Sequence, residues 1–194
     1  MTTKTVALAL GSGGARGYAH IGVIDEVRER GWEIVGVAGT SMGAVIGGLY
    51  AANRLDEYRD WVTTLSRRDV LRLMDPTLGG AGMMRAEKVM GQVRLQTGDV
   101  NIEDLPIPFT AVATDLLSQR EVWFTQGDLV DAMRASIAIP TVFTPVHRDG
   151  MVLADGGLLN PVPVAQLATV RADAIIAVNL AGPAMYEGDD APEP

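Results

Sequence analysis

Two apolar runs, each breaking into a glycine-containing loop and then a helix-like segment, constrain this 194-residue chain most tightly. TVALAL at 5–10 runs into Gly11-Ser12-Gly13-Gly14, and ARGYAHIGVIDEVRERG follows. EIVGVAG at 33–39 runs into Thr40-Ser41, and MGAVIGGLYAANRL follows. A continuous apolar run suits a strand covered on both faces. Between the two runs, Ala15, Ala19, Ile24 and Val27 fall near three-to-four spacing, and Gly31 marks a helix end. Strand, helix, strand, helix implies a parallel sheet with right-handed crossovers.

The rest of the chain extends that pattern. LDEYRDWVTTLSRRDVLRLM reads as one or two helices, DPTLGGAGMM as a loop and RAEKVMGQVRLQ as a short helix. PFTAVATDL and REVWFTQG read as a hairpin turning through Leu117, Ser118 and Gln119. A helix is expected over 128–136, ended by Pro140. Two short strands should flank the Arg148-Asp149-Gly150 turn. PVPVAQLATVRAD reads as a helix with prolines in its first turn. AIIAVNL at 174–180 reads as a last buried strand. The expected fold is three-layer α/β/α with a mainly parallel central sheet. No linker or repeat divides it, so one domain is expected over 1–182. MYEGDDAPEP closes the chain, and 183–194 is expected to be an acidic, disordered tail.

Charge and composition exclude several functions. A formal net charge of -8 repels phosphate backbones, so nucleic acid is not an expected partner. The absence of cysteine removes disulfides, thiolate metal sites and a cysteine nucleophile. The first apolar run is shorter than the roughly 7–15 residues of a signal-peptide core. No run approaches the roughly 18 apolar residues of a spanning helix. A cytoplasmic protein is expected.

The candidate chemistry lies in three glycine-flanked segments. Gly39-Thr40-Ser41-Met42-Gly43 matches G-x-S-x-G, placed between a strand and a helix as a nucleophile elbow requires. The pentapeptide alone is equally well a tight βα turn. The loop GSGGARG leaves the first strand at what should be the same sheet edge, where its amides could face Ser41. Removing one oxyanion donor typically costs about 10²–10³ in rate. Arg16 could orient that loop or hold an anionic group of the substrate. The nucleotide motifs fail: the only lysines are Lys4 and Lys88, and Arg16 stands where a dinucleotide fingerprint needs glycine. A looser anion-binding nest is the remaining alternative for the loop.

The base is less obvious. No histidine follows Asp155, so a triad would need His147 with an earlier acid such as Asp115. His20 falls inside the first helical segment and reads as a buried, hydrogen-bonded histidine. Asp155, in ADGGLLNPVP, could deprotonate Ser41 if burial raised its pKa. As an isolated dipeptide context, Asp155-Gly156 also reads as a turn bonding its own backbone. Leu78, Met83, Met84, Trp61 and Trp123 could offer an acyl-binding surface, but core packing is the expected use of such residues.

Taken in order, GSGGARG, GTSMG and DGG resemble the oxyanion loop, nucleophile elbow and catalytic aspartate of the patatin-like phospholipases. The resemblance extends to AHIGV, ATDL, ASIAIPTVFTPV and DGGLLNPVP, nearly the whole chain to about Asn179. It implies a patatin-like fold and a dyad in which Ser41 attacks an acyl carbonyl and Asp155 acts as base. Gly13, Gly14, Ala15 and Arg16 match the oxyanion positions, with Gly39 and Gly43 framing the elbow. It implies hydrolysis of fatty acyl esters of phospholipids, lysophospholipids or related lipids through an acyl-enzyme, with no metal or cofactor. It leaves room for peripheral contact with a membrane. The family loop often begins with three glycines, and here Ser12 stands first. Relatives usually carry further helices after the last strand, where this sequence passes into MYEGDDAPEP. The alternatives are a serine esterase with a His147 triad and a non-catalytic lipid-binding domain of the same fold.

Overall fold

A computed structural model describes residues 3–66, 68–69 and 85–182. Strand β1 (Thr5–Leu10) leads through a 3₁₀ turn (Gly14–Tyr18) into helix α1 (Ala19–Glu29). Strand β2 (Glu33–Thr40) leads directly into α2 (Met42–Ala51), with α3 (Leu55–Thr63) after it. Helix α4 (Glu87–Thr97) precedes the hairpin of β3 (Phe109–Asp115) and β4 (Arg120–Phe124). Helix α5 (Leu129–Ser136) and the short pair β5 (Val146–Arg148) and β6 (Met151–Asp155) follow. Strand β7 (Ala174–Val178) is the last described element.

The four apolar strands run in parallel in the order β7-β1-β2-β3, as the βαβ pattern requires. The hairpins add antiparallel strands at the β3 side, giving a mixed seven-stranded sheet of the α/β class. Val6, Leu8 and Leu10 of β1 face a large apolar core shared with α1, α2, α3, α4 and α5. Ala7 and Ala9 face the other side, under Leu167, Val162 and Val170. The alternation follows from the two-residue period of a strand. The small residues lie where the covering segment packs close to the sheet.

Two expectations are corrected. The segment after Pro161 is not a helix but an irregular run with one 3₁₀ turn at Ala165–Leu167. The carbonyls that would begin the helix are committed elsewhere. Pro161 O accepts the Ser12 amide at 2.8 Å, and Asn160 O accepts the Thr40 hydroxyl at 2.9 Å. The last strand is an edge strand, not a buried one, and Ile175 is 45% exposed. The Asp149-Gly150 turn is as expected, with positive φ at both residues (49° and 77°), the geometry a tight two-residue hairpin needs. Leu78, Met83, Met84 and the acidic tail lie outside the described residues.

Candidate active site

Ser41 stands between β2 and α2 with φ 57° and ψ −125°. A non-glycine residue in that region is strained by roughly 1–3 kcal/mol and persists only where its surroundings enforce it. Enforcement is visible at Gly43, where any Cβ would run into the Leu10 carbonyl of β1. That close approach lets α2 start directly beneath the end of the neighbouring strand. Ser41 is 3% exposed and caps α2, so its hydroxyl sits in the positive field of a ten-residue helix.

The position of Asp155 follows from the sheet register. One edge of β3 carries β4 along Ala111–Asp115. The other edge is shared: parallel β2 occupies Phe109–Val112, and antiparallel β6 occupies Ala113–Asp115. Thr40 pairs with Val112 and Asp155 with Ala113, so the ends of β2 and β6 meet head to head. Ser41 turns away at the point where Asp155 arrives. Gly156 permits the approach, because a Cβ there would strike the Val112 carbonyl.

Asp155 is 5% exposed. Its Oδ1 accepts the Gly157 amide at 2.6 Å, so the expected self-bonding turn is present. Its Oδ2 is buried and has no partner in hydrogen-bonding geometry among the described residues. Burial pushes the carboxyl pKa above its usual range. The nearby Ser41 hydroxyl and the Gly157 amide pull it part of the way back. The turn and the site are therefore one structure. The same loop meets the first glycine segment, since a side chain on Gly157 would collide with the Ser12 hydroxyl.

The first loop completes the arrangement. Its shape is fixed by Gly11 N–H to Val178 O at 3.0 Å, by Ser12 N–H to Pro161 O, and by His20. His20 is fully buried, with Nε2 2.7 Å from Gly11 O. Burial lowers its pKa, so the ring is neutral and donates from Nε2. The amides of Gly13, Gly14 and Ala15 donate to no acceptor among the described residues, as expected at the start of a helical turn. Gly14 and Ala15 line the same cavity as Ser41. The Arg16 side chain is exposed and makes no hydrogen bond or ion pair among the described residues, so it does not hold the loop in shape.

That cavity has a volume of about 330 Å³. Beyond the Ser41 end its walls are almost entirely apolar, from Met42, Val45, Val89, Met90, Ile139 and Phe143. Tyr18 and Tyr58 add hydroxyls 3.4 Å apart. Two larger hollows, of about 530 and 650 Å³, lie elsewhere and contain neither Ser41 nor Asp155. Trp61 packs on Tyr58 and Trp123 is half exposed, and neither lines the Ser41 cavity.

The structure does not bring the histidine alternative together. His147 is exposed on β5, which pairs with the far edge of β6. Asp115 is committed to the β3–β4 turn, held by Ser118 Oγ and by the amides of Leu117, Ser118 and Val152. Those bonds, the Ser118 hydroxyl foremost, lower its pKa. Among the described residues no group of three His, Asp or Glu could hold a metal. No described helix is long and apolar enough to cross a membrane. Sequence reasoning missed two contributors. The Met42 amide, in the first turn of α2, donates to no acceptor among the described residues. Ser136 accepts the Ser41 amide at 2.8 Å. The first was available from the elbow motif, and the second had no local signal.

Residues 8–168 match the family model described as patatin-like phospholipase. An uncharacterized NTE family protein of Mycobacterium bovis is 61% identical over 93% of this chain and 50% of its own length. The neuropathy target esterase sws of Drosophila melanogaster is 32% identical over 93% of this chain and 13% of its own length. The chain thus spans about half the length of the mycobacterial relative and a small part of the insect one. The crystal structure of VipD from Legionella pneumophila aligns with TM-score 0.49 and 16% identity, covering 82% of this chain and 47% of that one.

Proposed function

The chain belongs to the patatin-like phospholipase family, and from that premise we propose that it is a lipid acyl hydrolase working through Ser41 and Asp155. The observation that carries the reading is the head-to-head meeting of β2 and β6, which brings a strained serine to a buried aspartate whose Oδ2 has no partner among the described residues. In the proposed reaction Asp155 Oδ2 takes the Ser41 proton as Oγ attacks the ester carbonyl. The developing oxyanion is met by the amides of Gly13, Gly14 and Ala15, aided by Met42, whereas the expected Arg16 amide is already given to Gly13 O at 3.0 Å. Collapse breaks the ester C–O bond, and the proton on Asp155 passes to the leaving alkoxide. Asp155 then takes a proton from water, whose oxygen attacks the acyl-enzyme, and returns that proton to Ser41.

The cavity supports one acyl chain as the buried part of the substrate. Its volume lies at the small end of the roughly 300–1,000 Å³ range of ligand pockets. Gly14 and Ala15 line the cavity and the exposed Arg16 follows them in the chain, which supports an anionic head group on the solvent side. Leu158 and Leu159, half exposed directly after the Asp155 turn, support contact with a lipid surface. The test is hydrolysis of a fatty acyl 4-nitrophenyl ester and a lysophospholipid. Ser41→Ala and Asp155→Asn should each lower kcat by at least about 10³, by comparison with loss of a nucleophile or its base elsewhere. His147→Gln should keep full activity. Retained activity in Asp155→Asn with loss in His147→Gln would transfer the role of base to the histidine.

A further inference from the structure

One short stretch of chain, outside all three glycine segments, touches the backbone of both Ser41 and Asp155. Ser136 is the last residue of α5 and is fully buried. Its Oγ accepts the Ser41 amide at 2.8 Å and donates to the Val112 carbonyl at 2.6 Å. Two residues later, Ala138 O accepts the Asp155 amide at 2.9 Å. Val112 is the last residue of β3 paired with β2, and Ala113 is where β6 takes over. The stretch therefore bridges the one break in that edge of the sheet. The other end of α5 is pinned: Asp128 caps the helix by accepting the Asp131 amide at 2.7 Å and accepts from Arg94 Nη1 and Nη2 at 2.7 and 2.8 Å.

We propose that Ser136 is a positioning residue for Ser41, and that the Ser136–Ala138 stretch sets the spacing between nucleophile and base. The inference rests on the Ser41–Asp155 reading of the site. The physical need is plain. Ser41 holds a φ of 57°, a conformation that relaxes unless something restrains it. Leaving the strand costs its amide a regular ladder partner, and the Ser136 hydroxyl supplies one while keeping the tie to β3. Because the same stretch also holds Asp155, a shift of α5 moves both groups together, whereas loss of the hydroxyl frees only the serine. A displacement of about 1 Å at a reacting group is enough to cost on the order of 10² in rate.

The test compares Ser136→Ala, Ser136→Thr and Ser136→Cys in the full chain. Readouts are melting temperature, kcat and KM for a 4-nitrophenyl ester, fluorophosphonate labelling rate at Ser41, and hydrogen exchange of the Ser41 amide. Ser136→Ala should lower kcat and the labelling rate by about 30- to 100-fold, with KM changed less than about threefold. The Ser41 amide should exchange at least about tenfold faster, with the Asp155 amide unchanged. Ser136→Thr, which keeps the hydroxyl, should recover most of the rate. If the alanine variant does not fold, Ser136→Cys reads the same tie, since a thiol is a poor acceptor at longer range, with a loss of about tenfold expected. Wild-type labelling and exchange in either reduced variant would overturn the proposal, as would a threonine variant as impaired as alanine. If the wild-type protein takes no label, the proposed chemistry fails, and amide exchange alone decides whether the Ser136 tie exists.

Discussion

In the proposed reaction Asp155 is the base, and its burial makes two predictions of opposite sign. A base must be ionised, and this carboxyl has a pKa raised mainly by burial. Activity should therefore fall as pH drops through a midpoint above the ordinary carboxylate range, measured as kcat/KM against pH. Stability runs the other way. Below the unfolded pKa both states are protonated and the group costs nothing. Above the folded pKa the native state carries a buried charge that the unfolded chain solvates freely, so stability is lost as pH rises. Asp155→Asn should therefore melt at or a few degrees above wild type at pH 8, and equal it near pH 3, while being inactive. Each kcal/mol shifts the midpoint by roughly 2–4 °C at this chain length. A variant that melts well below wild type at pH 8 would mean that Asp155 is chiefly a structural turn residue. Ser41 and Asp155 could be singled out as candidates from the sequence because each sits in a glycine context that allows close backbone approach. Ser136 was not, since a serine near a helix end has many ordinary uses and its two partners are distant in sequence.

At the scale of elements, the elbow depends on how closely α2 approaches the end of β1. Gly43→Ala would press a methyl into the Leu10 carbonyl, which is backbone and has no rotamer to escape into. The turn or the strand end must shift, at a cost typical of overpacking, about 1–3 kcal/mol. The expected outcome is a drop of several degrees in melting temperature, with a labelling rate at Ser41 down at least about tenfold. An unchanged rate would show that the turn tolerates this displacement. The parallel strands were legible because continuous apolar runs have few other uses in a soluble protein. PVPVAQLATVRAD was misread because its pattern permits a helix, while its first carbonyls are taken by Ser12 and Thr40, more than a hundred residues away. The shared edge of β3 was equally hidden. Neither β2 nor β6 encodes where the other stops.

Across the molecule, three loops from distant parts of the chain reach one edge of the sheet, and two of them, at Gly14-Ala15 and Ser41-Met42, border an apolar cavity. The fold class was legible because element order and connection handedness leave few topologies. The cavity was not, because its walls come from α2, α3, α4 and the Ile137–Phe143 segment, which only the folded chain brings together. The proposed chemistry requires that the residues of this chain assemble a competent serine site, although the chain spans only about half the length of its mycobacterial relative. The most direct measurement is reaction of the purified, folded protein with a fluorophosphonate, with the adduct mapped by mass spectrometry. One adduct on Ser41, absent from Asp155→Asn over the same time, is the predicted result. No adduct on folded protein, or an adduct on another serine, would contradict it.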